Sequence, residues 1–371
     1  MKRGSRYTLN RFIDTYPITM ASLIVITGFV IRVIRIGNTS FWSDEVDTLY
    51  AGMHHIYFHP PFFLILARAW AAVASSDAML RVLSALFSTG GIAAAWFLGR
   101  RVTRSKHIAF WASVLVALNP GQVYYGREFR MYSLLALLTA VSWIFFFKWL
   151  NDGGFRWAAA LILIGTAILY THHYGVIFLA SQGLTAIFLK PRKTAITKLG
   201  VYTGVMVLVY IPYIRQVIYL SSRMLRSNYW AYPITLKTPF YLMRAFVPHF
   251  EVPLPAAAAA VVVAIFLLFI ALRSRPPYEW RYLVLFGFLV PVMIAVLISR
   301  VLPTSALVAR YLIFTSIPLC VGLAAGVNHV IHRWSGRLLT AVLVSVQLWS
   351  ISLQYSNTFL FMACAANRAE V

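Results

Sequence analysis

Acidic residues are scarce in this chain: ten Asp+Glu stand against 33 Lys+Arg, and charged residues make up only 12% of the 371 positions. With 60% hydrophobic residues and a mean hydropathy of +0.75, there is too little polar surface to clothe a water-soluble domain, which excludes that class. Cysteine is almost missing. Cys320 lies within an apolar run and Cys364 near the C-terminus, with no CxxC or other metal spacing, so neither a disulfide framework nor a thiolate metal centre is expected. Low-complexity linkers and internal repeats are lacking as well. The basic start MKRGSRYTLNR and the apolar run after it have the look of a signal sequence. No small-residue cleavage site follows, because the run ends in Arg32, Arg35 and Gly37, so it reads as an uncleaved first span.

What is present is hydrophobic length. Apolar runs of about 20 residues, each enough to cross a bilayer as a helix, recur along the chain. Eleven candidate spans result, at roughly 17–36, 79–98, 108–125, 131–149, 157–172, 174–189, 199–220, 255–272, 282–299, 309–327 and 338–355. Residues 60–75, PPFFLILARAWAAVAS, are short for a span and carry Arg68 mid-way, which suits a juxtamembrane helix along the interface. If they do not span, the N-terminus and five short loops (99–107, 148–156, 190–198, 273–281 and 328–337) share one side, with 19 of the 33 Lys+Arg. Short basic loops mark the cytoplasm. The expectation is a multi-pass protein of the cytoplasmic membrane, all-α, with its N-terminus inside and its C-terminus outside. It forms one domain over 1–371, with outer loops at about 37–78 and 221–254 and no appended soluble domain. The net charge of +23 is then accounted for by basic loops and anionic lipid headgroups, and no nucleic-acid partner is implied.

The scarce acids collect on the outer side of this topology, where Phe41–Pro61 holds Asp44, Glu45, Asp47, His54, His55 and His59. An acid at the low-dielectric membrane edge can serve as a base or a metal ligand. A solvated turn with Glu45 capping a short helix is the competing reading. YYGREFRMY (124–132) brings Arg127, Glu128 and Arg130 to an outer helix junction. Arginines there can hold a phosphate bidentately, or the three charges can simply neutralise one another. YTHHYG (170–175) supplies His172 and His173, which suit metal or phosphate binding or an aromatic belt. Arg310 in Ala309-Arg310-Tyr311 can hold a lipid phosphate or snorkel to the headgroups, and Arg32 and Arg35 carry the same ambiguity. Span interiors are nearly free of charge, which favours a surface active site over a conduction path.

RVIRIGNTSFWSDEVDTLY, then HPPFFLILARAW and LRVLSALFSTGGIAAAWFLGRRV, resemble the membrane glycosyltransferases of the C-type fold. Within them they are nearest the family-39-like branch of protein O-mannosyltransferases and the lipid A aminoarabinose transferase. YYGREFRMYSLLAL resembles that family's Gln-Glu-x-Arg-Met-Tyr segment, THHYGVIFL its Thr-His-Tyr segment and ARYLIFTSIPL its later Arg-Tyr segment, in order over about 30–320. The resemblance implies an inverting hexosyl or mannosyl transferase that moves a sugar from a polyprenyl-phosphate donor to a lipid, polysaccharide or protein acceptor outside the membrane. It implies Asp44 as catalytic base with Glu45 assisting or orienting, and His59, Arg130, Arg310 and Tyr311 as donor phosphate-binding residues. Glu128 and His173 are its candidates for a divalent metal, which only some relatives use. In this sequence Arg127 replaces the family's usual Gln, altering the local charge. A protein that binds or translocates a lipid-linked saccharide without transfer chemistry is the alternative.

Overall fold

The computed structural model describes residues 8–54, 60–189, 193–226, 235–247, 252–273, 279–301 and 307–356. His55 and His59 lie outside these residues, as do 227–234 and 248–251 of the expected second outer loop. Among the described residues all regular structure is helical. Seven helices are long and apolar enough to cross a membrane: Asp77–Thr103 (α5), Tyr132–Asp152 (α8), Thr197–Tyr219, Leu254–Leu272 (α13), Glu279–Val301, Ala309–Val330 and Trp334–Tyr355 (α17). An eighth arises if the pair Leu9–Thr15 and Pro17–Val33, bent by 106°, counts as one span. The chain is an integral membrane protein, all-helical over its described residues.

Each of the eleven segments expected from the sequence is helical, but not all are long enough. Segments 157–172 and 174–189 are helices of 15 residues, Phe155–Leu169 (α9) and Gly175–Leu189 (α10). Segment 108–125 is broken in two, Lys106–Ala117 (α6) and Pro120–Gly126 (α7). Proline disfavours the helical conformation of the residue before it, and Asn119 is extended there, its side chain accepting from the Gln122 amide at 2.9 Å. This N-cap restarts the chain in a new direction. The span 282–299 contains a π-helical turn, Leu285–Leu289, between Glu279–Val284 (α14) and Val290–Val301 (α15). The last-but-one span opens as a 3-10 turn, Ala309–Thr315, and becomes α-helical at Ser316–Val330 (α16).

α16 is the axis of the bundle, buried almost throughout and packed on α6 and α13. Gly326 makes the α13 crossing possible, since a Cβ there would stand 2.2 Å from the Leu267 carbonyl oxygen. Two short helices sit beside the start of α5: Ser43–His54 (α3) and Pro61–Ala71 (α4). Pro60 and Pro61 fix where α4 begins. At 11 residues it is about 16 Å long, roughly half a bilayer core. The Phe62 amide donates to the Tyr170 carbonyl at 2.8 Å, tying α4 to the α9–α10 turn. Phe41, Phe63, Leu80, Phe129 and Tyr132 pack together beneath these helices. One end of the bundle thereby acquires a hydrophobic floor under the polar residues of 41–48, 127–131 and 309–311.

Candidate active site

Asp44 and Glu45 occupy the first turn of α3, where acids are favoured by the helix dipole, yet their fates diverge. Glu45 is fully buried. Its Oε1 accepts from Arg81 Nε at 2.8 Å and from the Phe129 amide at 2.7 Å, while its Oε2 accepts from Arg81 Nη2 at 2.6 Å. This is a fork-to-fork ion pair in a dry setting. Arg81, in the second turn of α5, also donates to the carbonyls of Ile36, Thr39 and Ser40 at 3.1, 2.6 and 3.1 Å. The pair thus ties three segments: the loop before α3, the start of α5 and the 127–131 junction. Both Glu45 oxygens are committed to this clamp, so its geometry is that of a positioning residue.

Asp44 points the other way, its side chain 26% exposed. Its Oδ2 lies 3.3 Å from Arg310 Nη1 and 3.7 Å from Arg130 Nη2. Arg130 itself is held from behind, donating to the Asp44 carbonyl at 2.8 Å and to Thr48 Oγ1 at 2.7 Å. Arg310 comes from the 3-10 turn and stands over the rings of Trp42 and Tyr311, 6.0 and 5.4 Å from their centroids. The Tyr311 ring packs against Tyr132, His172 and Tyr174. Residues separated by 86 and 266 positions therefore meet at one carboxylate. The ion pairs at Asp44 are loose beside the 2.6 Å contact that locks Glu45. An incoming anion can compete for the first set, not for the second.

Glu128 is 8% exposed. Burial, aided by repulsion from Glu45, pushes its carboxyl up to about 8 against the pull of Arg310 and Arg130. His173 stacks on Tyr213, and burial lowers its imidazole to about 4. Among the described residues, however, no three His, Cys, Asp or Glu side chains gather as metal ligands. Glu128 and His173, the expected metal pair, are not joined by a third such side chain among the described residues.

Several further residues are placed differently from their sequence reading. Arg32 neither snorkels nor faces a lipid phosphate. It is fully buried, donating to Ser88 Oγ at 2.7 Å and to the Gly28, Ala117 and Val116 carbonyls at 2.9, 3.2 and 3.3 Å. The last two lie in the final turn of α6, and the Val116 carbonyl also accepts from the Asn119 amide at 3.3 Å. Arg127 points away from Asp44, stacking on Tyr355 at 4.7 Å and donating to the Arg32 and Arg35 carbonyls at 3.4 and 3.2 Å. It is a cationic cap on Pro17–Val33 (α2), which explains how an arginine is accommodated at that position. Arg81 was not singled out in the sequence. Its signal was available: an arginine in the second turn of an apolar span requires a partner.

The sequence matches no protein-family model and no curated protein sequence. The structure is similar to solved structures of the oligosaccharyltransferase of the archaeon Archaeoglobus fulgidus. The apo form superposes with a TM-score of 0.62 at 14% identity, covering 92% of this chain and 56% of that one. Its complex with an inhibitory peptide and a dolichol-phosphate gives 0.59 at 14% identity, again over 92% and 56%. A complex of the same enzyme with Zn and sulfate gives 0.54 at 13% identity, over 90% and 52%. The chain thus spans little more than half the length of these enzymes. What they share is the architecture, and over most of its length the chain has a fold similar to that of this archaeal enzyme.

Proposed function

We propose that the protein is a glycosyltransferase that moves one sugar from a polyprenyl-phosphate donor to an acceptor, with inversion at the anomeric carbon. The observation that carries the reading is the partly exposed Asp44 carboxylate between Arg310 and Arg130, at 3.3 and 3.7 Å. A sugar on a lipid phosphate already has a good leaving group. The chemistry needs a base for the acceptor hydroxyl and positive charge where the phosphate departs. In the proposed step Asp44 takes the hydroxyl proton and the acceptor oxygen bonds to the anomeric carbon. The bond from that carbon to the phosphate oxygen breaks on the opposite face, and its electron pair leaves with the polyprenyl phosphate. Arg310 and Arg130 meet the growing negative charge. The oxocarbenium-like transition state is one that a nearby carboxylate also stabilises. Glu45 acts through Arg81 by holding α3 in register, and the Tyr311 face flanks the phosphate. His59, outside the described residues, precedes Pro60 and Pro61 and stands in sequence where it could reach the same phosphate.

The fold supports this reading, because the similar archaeal enzyme has been solved with a dolichol-phosphate and, separately, with a tethered acceptor peptide. A family-39-like assignment rests on the ordered DE, HPP and E-x-R-M-Y strings alone. Eleven spans are supported by the apolar runs, and a cytoplasmic N-terminus with an extracytoplasmic site by the distribution of Lys and Arg. The test is purified protein given a labelled polyprenyl-phosphate sugar and cell-envelope extract as acceptor source. Wild type transfers label to a lipid, glycan or protein, and mass spectrometry of the product names the acceptor. Label that changes leaflet but is never transferred would favour the non-catalytic translocator and overturn the enzyme reading.

A further inference from the structure

We propose a second lipid site at the opposite end of the bundle, an anionic phospholipid site in the groove between α5 and α8. The groove encloses about 680 Å³. Its walls are Gly90, Ala93, Leu137, Val141, Ile144 and Phe145, all apolar, and it opens outward at Phe97, which is 62% exposed. At its far end four cations converge, Arg100, Arg101, Arg104 and Lys148, with no acid in the lining.

The cations are poised rather than neutralised. Arg100 donates to the Arg104 carbonyl at 2.8 Å, Arg101 to the Phe147 carbonyl at 2.7 Å, and Lys148 stands 4.5 Å from the Trp157 ring centroid. These contacts orient the side chains, and among the described residues no carboxylate pairs with any of the four. Arg100 and Arg104 are exposed. Between Arg81, at the candidate active site, and Arg100 α5 rises about 28 Å, close to one bilayer core. The basic cluster therefore lies at the other membrane face, and its ligand cannot be the donor held by Arg310 and Arg130. Apolar walls beneath a ring of cations match one amphiphile, a phosphodiester headgroup with acyl chains lying in the groove, and basic pockets between membrane helices bind such headgroups. Gly90 keeps the upper groove narrow but open, since a Cβ there would come 3.1 Å from Leu137.

The test uses the delipidated full chain in neutral detergent, titrated with phosphatidylglycerol or phosphatidylcholine while bound lipids are counted by native mass spectrometry. One phosphatidylglycerol is expected to be retained per chain, at least about tenfold more tightly than phosphatidylcholine. The triple change Arg100→Gln, Arg104→Gln and Lys148→Gln should abolish that preference. Ala93→Phe, which fills the groove and leaves every charge in place, should lose the retained lipid. Equal binding of the two lipids, or a preference that survives either variant, would overturn the site. So would displacement of phosphatidylglycerol by polyprenyl monophosphate in an Arg310→Gln background, because the ligand would then be a prenyl phosphate.

Discussion

Replacing Arg81 with Gln removes the guanidinium at the centre of the Glu45 clamp. The structure allows the consequence to be sized. Arg81 makes both ion-pair hydrogen bonds to Glu45, at 2.8 and 2.6 Å, and holds three carbonyls of 36–40. The two side chains are only 5% and 1% exposed, so solvent does not screen the loss. Breaking a buried pair by removing one partner costs about 3–5 kcal/mol, because the other charge is stranded. Lysine should not rescue, as one ammonium cannot reproduce a planar fork. The damage should be local first. The loop before α3 loses its tether, and the Phe129 amide is left donating to an unpaired buried carboxylate. Hydrogen exchange in detergent micelles should therefore show protection falling at 36–48 and at 127–131 by about two to four orders of magnitude, with far less change in α16. Transfer activity should fall with it, although Arg81 touches no reacting atom. Unchanged protection of the Phe129 amide in Arg81→Gln would refute the claim that the clamp positions Asp44.

Glu128→Gln should reveal the raised carboxyl. Below about pH 4.5 the group is protonated in folded and unfolded chains alike, and from there to about 8 only the folded chain keeps its proton. Wild-type stability then falls as pH rises through that window, by up to about 1.4 kcal/mol per pH unit, and levels off above it. The Gln variant lacks this slope, so thermal melts should show its advantage widening between about pH 5 and 8, and parallel profiles would contradict the shift. Gly126→Ala places a methyl 2.7 Å from Ser88 Oγ and 3.5 Å from Arg32 Nε. An overpacking penalty of about 1–3 kcal/mol is expected, read as a lowered Tm, and an unchanged Tm would mean that this junction is looser than it looks.

The membrane spans were legible because burial in lipid demands long apolar runs, which hydropathy records directly. The breaks within them were not. Asn119-Pro120 looks like one more polar interruption until Asn119 is seen capping α7, and the π-turn at Leu285–Leu289 has no local signature at all. At the site, Asp44, Arg130 and Arg310 could be picked out because charge at a membrane edge is costly and each lies in a recognisable string. What could not be read was how the charges divide. Glu45 and Asp44 are adjacent in sequence, yet a helix turns successive side chains through about 100°, sending one to Arg81 and the other to Arg310. Arg127 and Arg130 likewise stand three residues apart in the non-helical junction between α7 and α8 and serve α2 and Asp44 respectively. Pairings such as Arg81–Glu45, 36 residues apart, are set by how helices stack, and no local pattern encodes them.

The central claim is that Asp44 is the base and that Arg310 holds the phosphate, so donor binding and transfer should separate between two variants. The decisive measurement is donor binding alongside single-turnover transfer of a labelled polyprenyl-phosphate sugar, on Asp44→Asn and Arg310→Gln together. Asp44→Asn should bind donor within a few-fold of wild type and lose transfer by about 10²–10⁴-fold. Arg310→Gln should weaken donor binding by about tenfold or more, the loss of one charge-assisted contact. Transfer by Asp44→Asn at the wild-type rate would contradict the account.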